Sequence, residues 1–244
     1  MEGPSIVILK EQVQLFAGKK VLFAEGNSKI DQSRLQGQTV TRFESWGKHF
    51  IICFEQFALR VHFLMFGSYR INERKEATPR LSLQFENGEL NLYSCAIKML
   101  EESLDEIYDW EVDVLSESWN PRKARKALKA RTSMMVCDAL LDQDIFAGVG
   151  NIIKNEVLFR IRIHPEAKLG TLPSKKLTEL IDQAREYSFD FFHWKKDYVL
   201  KKHWLIYNKK KCPRCLIPVV KRHTGETERR SFFCENCQKN WNEI

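Results

Sequence analysis

At 244 residues, 43% of them hydrophobic, the chain is long enough to bury a real core in one large domain or two modest ones. No apolar run approaches the ~20 residues of a membrane span, and the first residues lack a basic stretch followed by an apolar one, so no membrane partner and an intracellular, cytoplasmic or nucleoid-associated protein are expected. The formal charge of +7 is uneven: residues 195–230 carry +9 and residues 122–131 carry +6, which leaves −8 on the remainder. A basic face on an acidic body suits a polyanion, although a run of charge is also an ordinary solvated face.

Residues 5–17 place Ile6, Leu9, Val13 and Phe16 at helical spacing, and Gly18 ends the run. This helix pins the preceding Met1-Glu2-Gly3-Pro4, a terminus that is then held in place rather than frayed. From about residue 20 to 115 the pattern turns to short strands: Phe50–Phe54, Leu59–Phe63, Ser68–Ile71, and the alternating runs of Leu81, Leu83, Phe85 and of Leu90, Leu92. Asn87-Gly88 between those runs predicts a hairpin turn. No long helix separates the strands, so an antiparallel β-sandwich is expected.

Two places in this β region carry a choice. Lys48, after Gly47 in a turn, is either a solvated lysine or a contact for a ligand. Leu64, Met65 and Phe66, at the end of a strand and before Gly67, are either core or an apolar wedge that enters a gap between stacked bases.

The polar, Pro-terminated stretch 116–121 predicts a linker. After it the pattern is helical. Met134, Cys137, Leu140, Leu141, Ile145 and Phe146 define one helix, with Thr132 or Ser133 as its cap. Gly148 and Gly150 let the backbone take positive φ, and Asn151 is predicted as N-cap of the next helix, whose apolar side is Ile152, Ile153, Leu158 and Phe159. His164-Pro165 stops it. A helix start of this kind offers N–H groups and a positive dipole end to one phosphate, yet an ordinary helical hairpin has the same turn. A further helix begins near Ser174, with Leu177, Leu180, Ile181, Ala184 and Phe191 on one side.

Cys212, Cys215, Cys234 and Cys237 form two C-x-x-C pairs with eighteen residues between them. Four thiolates at this spacing close a tetrahedron around one structural Zn²⁺, with no open position for catalysis. Ile217, Val219, Val220, Phe232 and Phe233 around Thr224-Gly225 predict a β-ribbon, whose returning arm carries Arg229 and Arg230, suited to gripping a phosphate. Cys53, Cys95 and Cys137 sit singly in apolar stretches and are expected in the core.

Taken together, Glu2-Gly3-Pro4 before a helix, Gly47-Lys48, His62–Gly67, the stretch from Leu140-Leu-Asp-Gln through Gly148-Val-Gly-Asn151 to His164-Pro165, and the two-knuckle ribbon resemble the formamidopyrimidine-DNA glycosylase/endonuclease VIII family from end to end. Glu-Gly-Pro is closer to the endonuclease VIII branch. The resemblance implies a multidomain α+β chain: an N-terminal β-sandwich with an N-terminal helix over 1–115, a linker at 116–121, a helix–two-turn–helix domain over 122–208, and a four-cysteine zinc finger over 209–244. It implies a monomer acting on double-stranded DNA that holds an oxidised base, a pyrimidine by the branch, or an abasic site. In that family an N-terminal amine attacks C1′, a Schiff base forms, and β,δ-elimination cuts the strand. Carried across, Met1 takes the place of the attacking residue, Glu2 is the acid/base, and Lys48 lies near the phosphates of strand cleavage. Asn151 and Arg229 grip the backbone, while Leu64, Met65 and Phe66 fill the vacated stack.

The chain departs from the family in two places. Methionine stands where the family has its N-terminal proline, and Pro4 cannot replace it because its nitrogen is in a peptide bond. Either the terminus of an active enzyme is altered, or the primary amine of Met1 forms the imine, or the protein binds damaged DNA with little chemistry. The Asp-Pro-Arg-Arg-Phe-Gly stretch of the 8-oxoguanine branch has no counterpart in Tyr93–Leu100. A zinc-finger RNA-associated factor without chemistry is the third class in view.

Overall fold

The computed structural model describes residues 1–243. The chain parts into two compact units, one made of Met1 and Gly3–Tyr108, the other of Glu2 with Asp109 and the residues after it. The division falls ahead of the linker expected at 116–121. Val112 and Val114 are buried, and their backbones exchange hydrogen bonds with Ala147 at 2.9 and 3.2 Å. That pairing draws the segment into the second unit.

In the first unit helix α1 (Gly3–Gln12) is followed by a 3-10 turn at Gln14–Phe16. Ile6, Leu9, Val13 and Phe16 are fully buried, as their spacing predicts, and each such side chain contributes about 1.5–3 kcal/mol. The strands are β1 (Phe23–Glu25), β2 (Arg42–Trp46), β3 (His49–Cys53), β4 (Ala58–Ile71), β5 (Leu81–Phe85) and β6 (Gly88–Leu100). All pairs are antiparallel, in the order β1-β5-β6-β4-β3-β2. Alternation places Phe50, Ile52, Leu59, Val61, Leu83 and Leu90 in one core under α1. The strands expected apart at Leu59–Phe63 and Ser68–Ile71 are one strand, β4, whose pairing with β6 breaks between Phe63 and Ser68. The hairpin turn lies one residue earlier than expected: Phe85 pairs with Gly88, so Glu86-Asn87 makes the turn.

The short helix α2 (Leu104–Ile107) closes the first unit, and the second holds α3 (Pro121–Ala130), α4 (Val136–Leu141), α5 (Asn151–Arg160), α6 (Ser174–Lys196) and the ribbon β7 (Val220–Thr224) and β8 (Arg229–Phe233). Asn120 caps α3 by accepting from the N–H groups of Arg122 and Lys123, with Pro121 in the first turn. Helix α4 starts later than expected. Its N-cap is Met135 with no side-chain hydrogen bond, and neither Thr132 nor Ser133 caps it. Val136, Leu140, Ile145, Phe146, Ile153 and Leu180 share one core. None of the described helices is long and apolar enough to cross a membrane. Cys53, Cys95 and Cys137 are buried, as expected.

Candidate functional site

The first unit gathers cations around a histidine pair. Gly47 at φ +53° makes the two-residue turn between Trp46 and His49, which pair across β2 and β3, and this places Lys48 half-buried at the turn. His49 pairs in turn with His62 on β4, their rings 5.3 Å apart. Trp46 and Tyr108 close the group, with ring centroids 5.1 Å apart. Burial pushes His49 down to about 4, reinforced by Arg60, His62 and Lys48. Burial also holds His62 below the ordinary histidine range, followed by the N-terminal amine, Lys48 and Arg60. The amine of Met1 and the ammonium of Lys48 are thus both within electrostatic reach of one imidazole, and the Met1 side chain packs on the sheet core. A neutral imidazole there can accept a proton or a hydrogen bond.

Leu64, Met65 and Phe66 are 52%, 80% and 83% exposed. They occupy the interval where β4 leaves its ladder with β6. Of the two readings left open for these residues, core is corrected: three large apolar side chains project into solvent.

The second unit builds around the start of α5. Gly148 turns at φ +98°, but Gly150 does not, at φ −121°. Its lack of a side chain serves space instead, since a Cβ there would overlap the Glu2 carboxylate. Gly150, not Asn151, is the N-cap, and Asn151 is the first helical residue. The capping role passes to Glu2, whose Oε1 accepts from Ile152 N–H at 2.7 Å and Oε2 from Ile153 N–H at 3.3 Å. A carboxylate on a positive helix end is stabilising, and two fixed donors hold it in one orientation. The helix start is therefore occupied from within the chain. The N–H groups of Ile152 and Ile153 are thus taken by Glu2, and Asn151 is the first residue of the helix beside them. Asn151 Oδ1 is buried without a hydrogen-bond partner, and because the two ends of an amide are isosteric the side chain can turn to offer N–H instead.

Three consecutive polar residues of α5 are buried, and each clips the helix to another segment. Lys154 Nζ donates to Ser231 Oγ at 2.9 Å and to Arg230 O at 3.3 Å. Asn155 Nδ2 donates to Asn151 O at 2.7 Å, and its Oδ1 accepts from Phe232 N–H at 2.7 Å. Glu156 accepts from the N–H groups of Leu205, Ile206 and Tyr207 at 2.8–3.0 Å. Burial drives Lys154 down to about 8, with Arg229 adding to the effect and Cys137, Asp138 and Glu2 opposing it. Asp138 on α4 holds the tip of the ribbon, accepting from Glu226 N–H and Thr227 N–H at 3.0 and 3.1 Å and from Thr227 Oγ1 at 2.8 Å. Arg229, exposed, follows that tip on β8, opposite Thr224. Thus α4 and α5 both anchor the segment that presents Arg229. Periodicity did not reveal these anchors, because Lys-Asn-Glu inside an apolar helix reads as its solvent face; three adjacent polar residues on a helix otherwise lined by Ile153, Leu158 and Phe159 were the available signal.

The four expected cysteines converge. Their sulfur atoms all lie within 4.8 Å of one another, the one such group of potential ligands among the described residues. Cys212 and Cys237 are 3.8 Å apart, Cys215 and Cys234 3.4 Å, and Cys215 and Cys237 3.5 Å. At a metal–sulfur length of about 2.3 Å these are the edges of a tetrahedron, so the donor set fits a closed metal site.

Comparison with known proteins agrees with this arrangement. The profile of the formamidopyrimidine-DNA glycosylase N-terminal domain matches residues 8–96, and that of the formamidopyrimidine-DNA glycosylase H2TH domain matches residues 111–187. The chain is 32% identical to endonuclease 8-like 3 of Xenopus laevis over 94% of its own length and 39% of that protein. It is 35% identical to endonuclease 8-like 2 of Mus musculus over 74% of its own length and 57% of that protein. It therefore spans well under two thirds of these relatives. Formamidopyrimidine-DNA glycosylase of Lactococcus lactis, non-covalently bound to DNA containing an AP site, superposes with a TM-score of 0.86 at 22% identity, covering 98% of this chain and all of that one. A viral DNA glycosylase superposes at 0.85 with 19% identity over the same shares. These likenesses show the shared fold.

Proposed function

Because the chain belongs to the formamidopyrimidine-DNA glycosylase/endonuclease VIII family, in its endonuclease VIII-like part, we propose that it is a base-excision-repair DNA glycosylase with AP lyase activity. Its substrates are oxidised bases, pyrimidines first among them, in double-stranded DNA. The observation that carries the reading is the Glu2 carboxylate held on α5 next to Asn151. The residue adjacent to the first amine in sequence is thereby fixed beside a residue suited to a DNA backbone.

In this reading the neutral amine of Met1 attacks C1′ of an extruded nucleotide, and the glycosidic bond breaks as the base departs with its electron pair and takes up a proton. The sugar ring opens to a Schiff base, and Glu2 gives and removes the protons this requires. An α-amine, with an ordinary pKa near 8, is more readily neutral than a lysine near 10.4. Loss of a C2′ proton expels the 3′ phosphate, and δ-elimination expels the 5′ phosphate. Lys48 meets the phosphate charge, Asn151 and Arg229 hold the backbone, and Leu64, Met65 and Phe66 fill the space left by the base, for which flipping costs a few kcal/mol. Cys212, Cys215, Cys234 and Cys237 hold one Zn²⁺ that keeps the ribbon in shape.

Grip and chemistry separate by mutation. Asn151→Ala and Arg229→Ala are each expected to weaken binding to an abasic-site duplex by about 5- to 100-fold, the loss of one or two charge-assisted contacts. Electrophoretic or anisotropy titration at fixed salt reads this directly. Binding within twofold of the parent for both variants removes the assignment. The second reading, a lesion-binding protein with little chemistry, is favoured by Met1 in the place of the family's proline. It predicts the same binding losses with no cut strand in the parent protein.

A further inference from the structure

Helix α6 ends on an unusual residue. Asp197 is its C-cap, and the chain then turns through Tyr198 at φ +58°. Tyr198 N–H donates to Lys195 O at 3.2 Å and Val199 N–H donates to Trp194 O at 2.9 Å, the paired bonds of a left-handed helix terminator. Glycine fills that position by default, because a Cβ there is strained. Here it holds a tyrosine, 92% exposed, whose side chain makes no hydrogen bond or ring contact among the described residues. Strain combined with exposure gives nothing to folding, and residues held in this way collect at sites of binding.

The surroundings indicate what the ring meets. Lys195, Lys196, Lys201 and Lys202 flank it, all exposed. Lysine is depleted from the centres of protein–protein interfaces, whereas an aromatic ring among cations is the arrangement that takes a base on its face and phosphates on either side. The footing is rigid. The Trp194 ring stacks on His203 at 4.1 Å, nearly parallel, and Arg160 lies over Tyr187 at 4.8 Å and over Trp194 at 5.8 Å. The place is also close to the candidate site: desolvation lowers Lys195 and the Glu2 carboxylate raises it again, so the two groups are within electrostatic reach.

We propose that Tyr198 is a stacking platform for an unpaired nucleobase of a DNA strand, with Lys195, Lys196, Lys201 and Lys202 taking the phosphates beside it. The inference rests on the DNA-binding reading above and adds a contact outside the glycine turn and the ribbon.

The test compares Tyr198→Gly and Tyr198→Phe with the parent in the intact protein, using a labelled oligodeoxythymidylate and, separately, a blunt abasic-site duplex. Tyr198→Gly relieves the left-handed strain, so its melting temperature is expected to equal or exceed the parent's. Its affinity for the single strand is nevertheless expected to fall about fivefold or more. Tyr198→Phe keeps the ring and is expected to stay within twofold, and both variants keep the duplex affinity within twofold. Unchanged single-strand binding in Tyr198→Gly overturns the proposal, as does a loss in Tyr198→Phe equal to that in Tyr198→Gly, which would point to the hydroxyl. A parent that binds the abasic duplex but not the single strand overturns the platform and leaves the glycosylase reading standing. A parent that binds neither overturns both.

Discussion

Glu2→Gln is expected to lower strand cutting at an abasic site by about 100-fold or more, the usual contribution of a positioned acid/base, while DNA binding stays within threefold. The substitution is nearly isosteric, but it removes the carboxylate proposed to carry the protons. It also changes the helix cap. Glu2 accepts from Ile152 N–H and Ile153 N–H with its two oxygens, and glutamine can accept with only one. Its amide then faces the remaining N–H, at a cost of about 1 kcal/mol for the lost charge-assisted bond. A small drop in thermal stability should therefore accompany the large drop in cutting. Glu2→Ala separates the two effects further, because it leaves both N–H groups without this acceptor and opens space over Gly150. Single-turnover cleavage with denaturation curves on the same preparations reads both quantities. A Glu2→Gln protein that cuts within fivefold of the parent would remove Glu2 from the chemistry and leave it as a helix cap alone.

Stripping the metal is expected to have the next largest effect. One zinc per chain should be found by elemental analysis, and a strong chelator should reduce affinity for the abasic duplex by about tenfold or more. The four sulfur atoms lie within 4.8 Å of one another, and four thiolates so close repel when no cation stands between them. Structural zinc contributes about 10–16 kcal/mol of apparent binding free energy in small fingers, more than the stability of most domains. The ribbon is not an isolated appendage in this unit. Lys154, Asn155 and Asp138 reach it through hydrogen bonds, and His164 meets Phe233 edge to face at 4.6 Å. Loss of the metal should therefore displace Arg229 and uncover the buried Lys154 together. Unchanged DNA affinity in protein shown to be metal-free would contradict the role given to the ribbon.

Much of this was legible in local pattern. The C-x-x-C pairs, the strand alternation, the turn at Gly47-Lys48 and the helix holding Ile6, Leu9, Val13 and Phe16 all depend on residues near one another in sequence, and for these short-range physics suffices. The core of the site was less legible because its contacts are long-range. Asn151 has the residue type of an N-cap, yet a carboxylate 150 positions away takes the N–H groups of Ile152 and Ile153, and Gly150 is small to admit it rather than to turn. Val112 and Val114 look like linker approaches until Ala147 pairs with them. Lys154, Asn155 and Glu156 look solvent-facing because periodicity counts polarity and cannot see the backbone groups of the ribbon and of Leu205–Tyr207. Leu64, Met65 and Phe66 look like core by composition, and only the break in the β4–β6 ladder turns them outward.

The most direct measurement is borohydride trapping on abasic-site DNA, followed by peptide mapping of the adduct. If a neutral amine at the head of the chain forms the imine, reduction yields one covalent protein–DNA species with its mass on residue 1. Glu2→Gln protein, which lacks the group that moves protons in imine formation and elimination, should be trapped more slowly than the parent and fail to release a cut strand. An adduct mapped to Lys48 or Lys154, or no adduct from protein that binds the same duplex tightly, would contradict that chemistry.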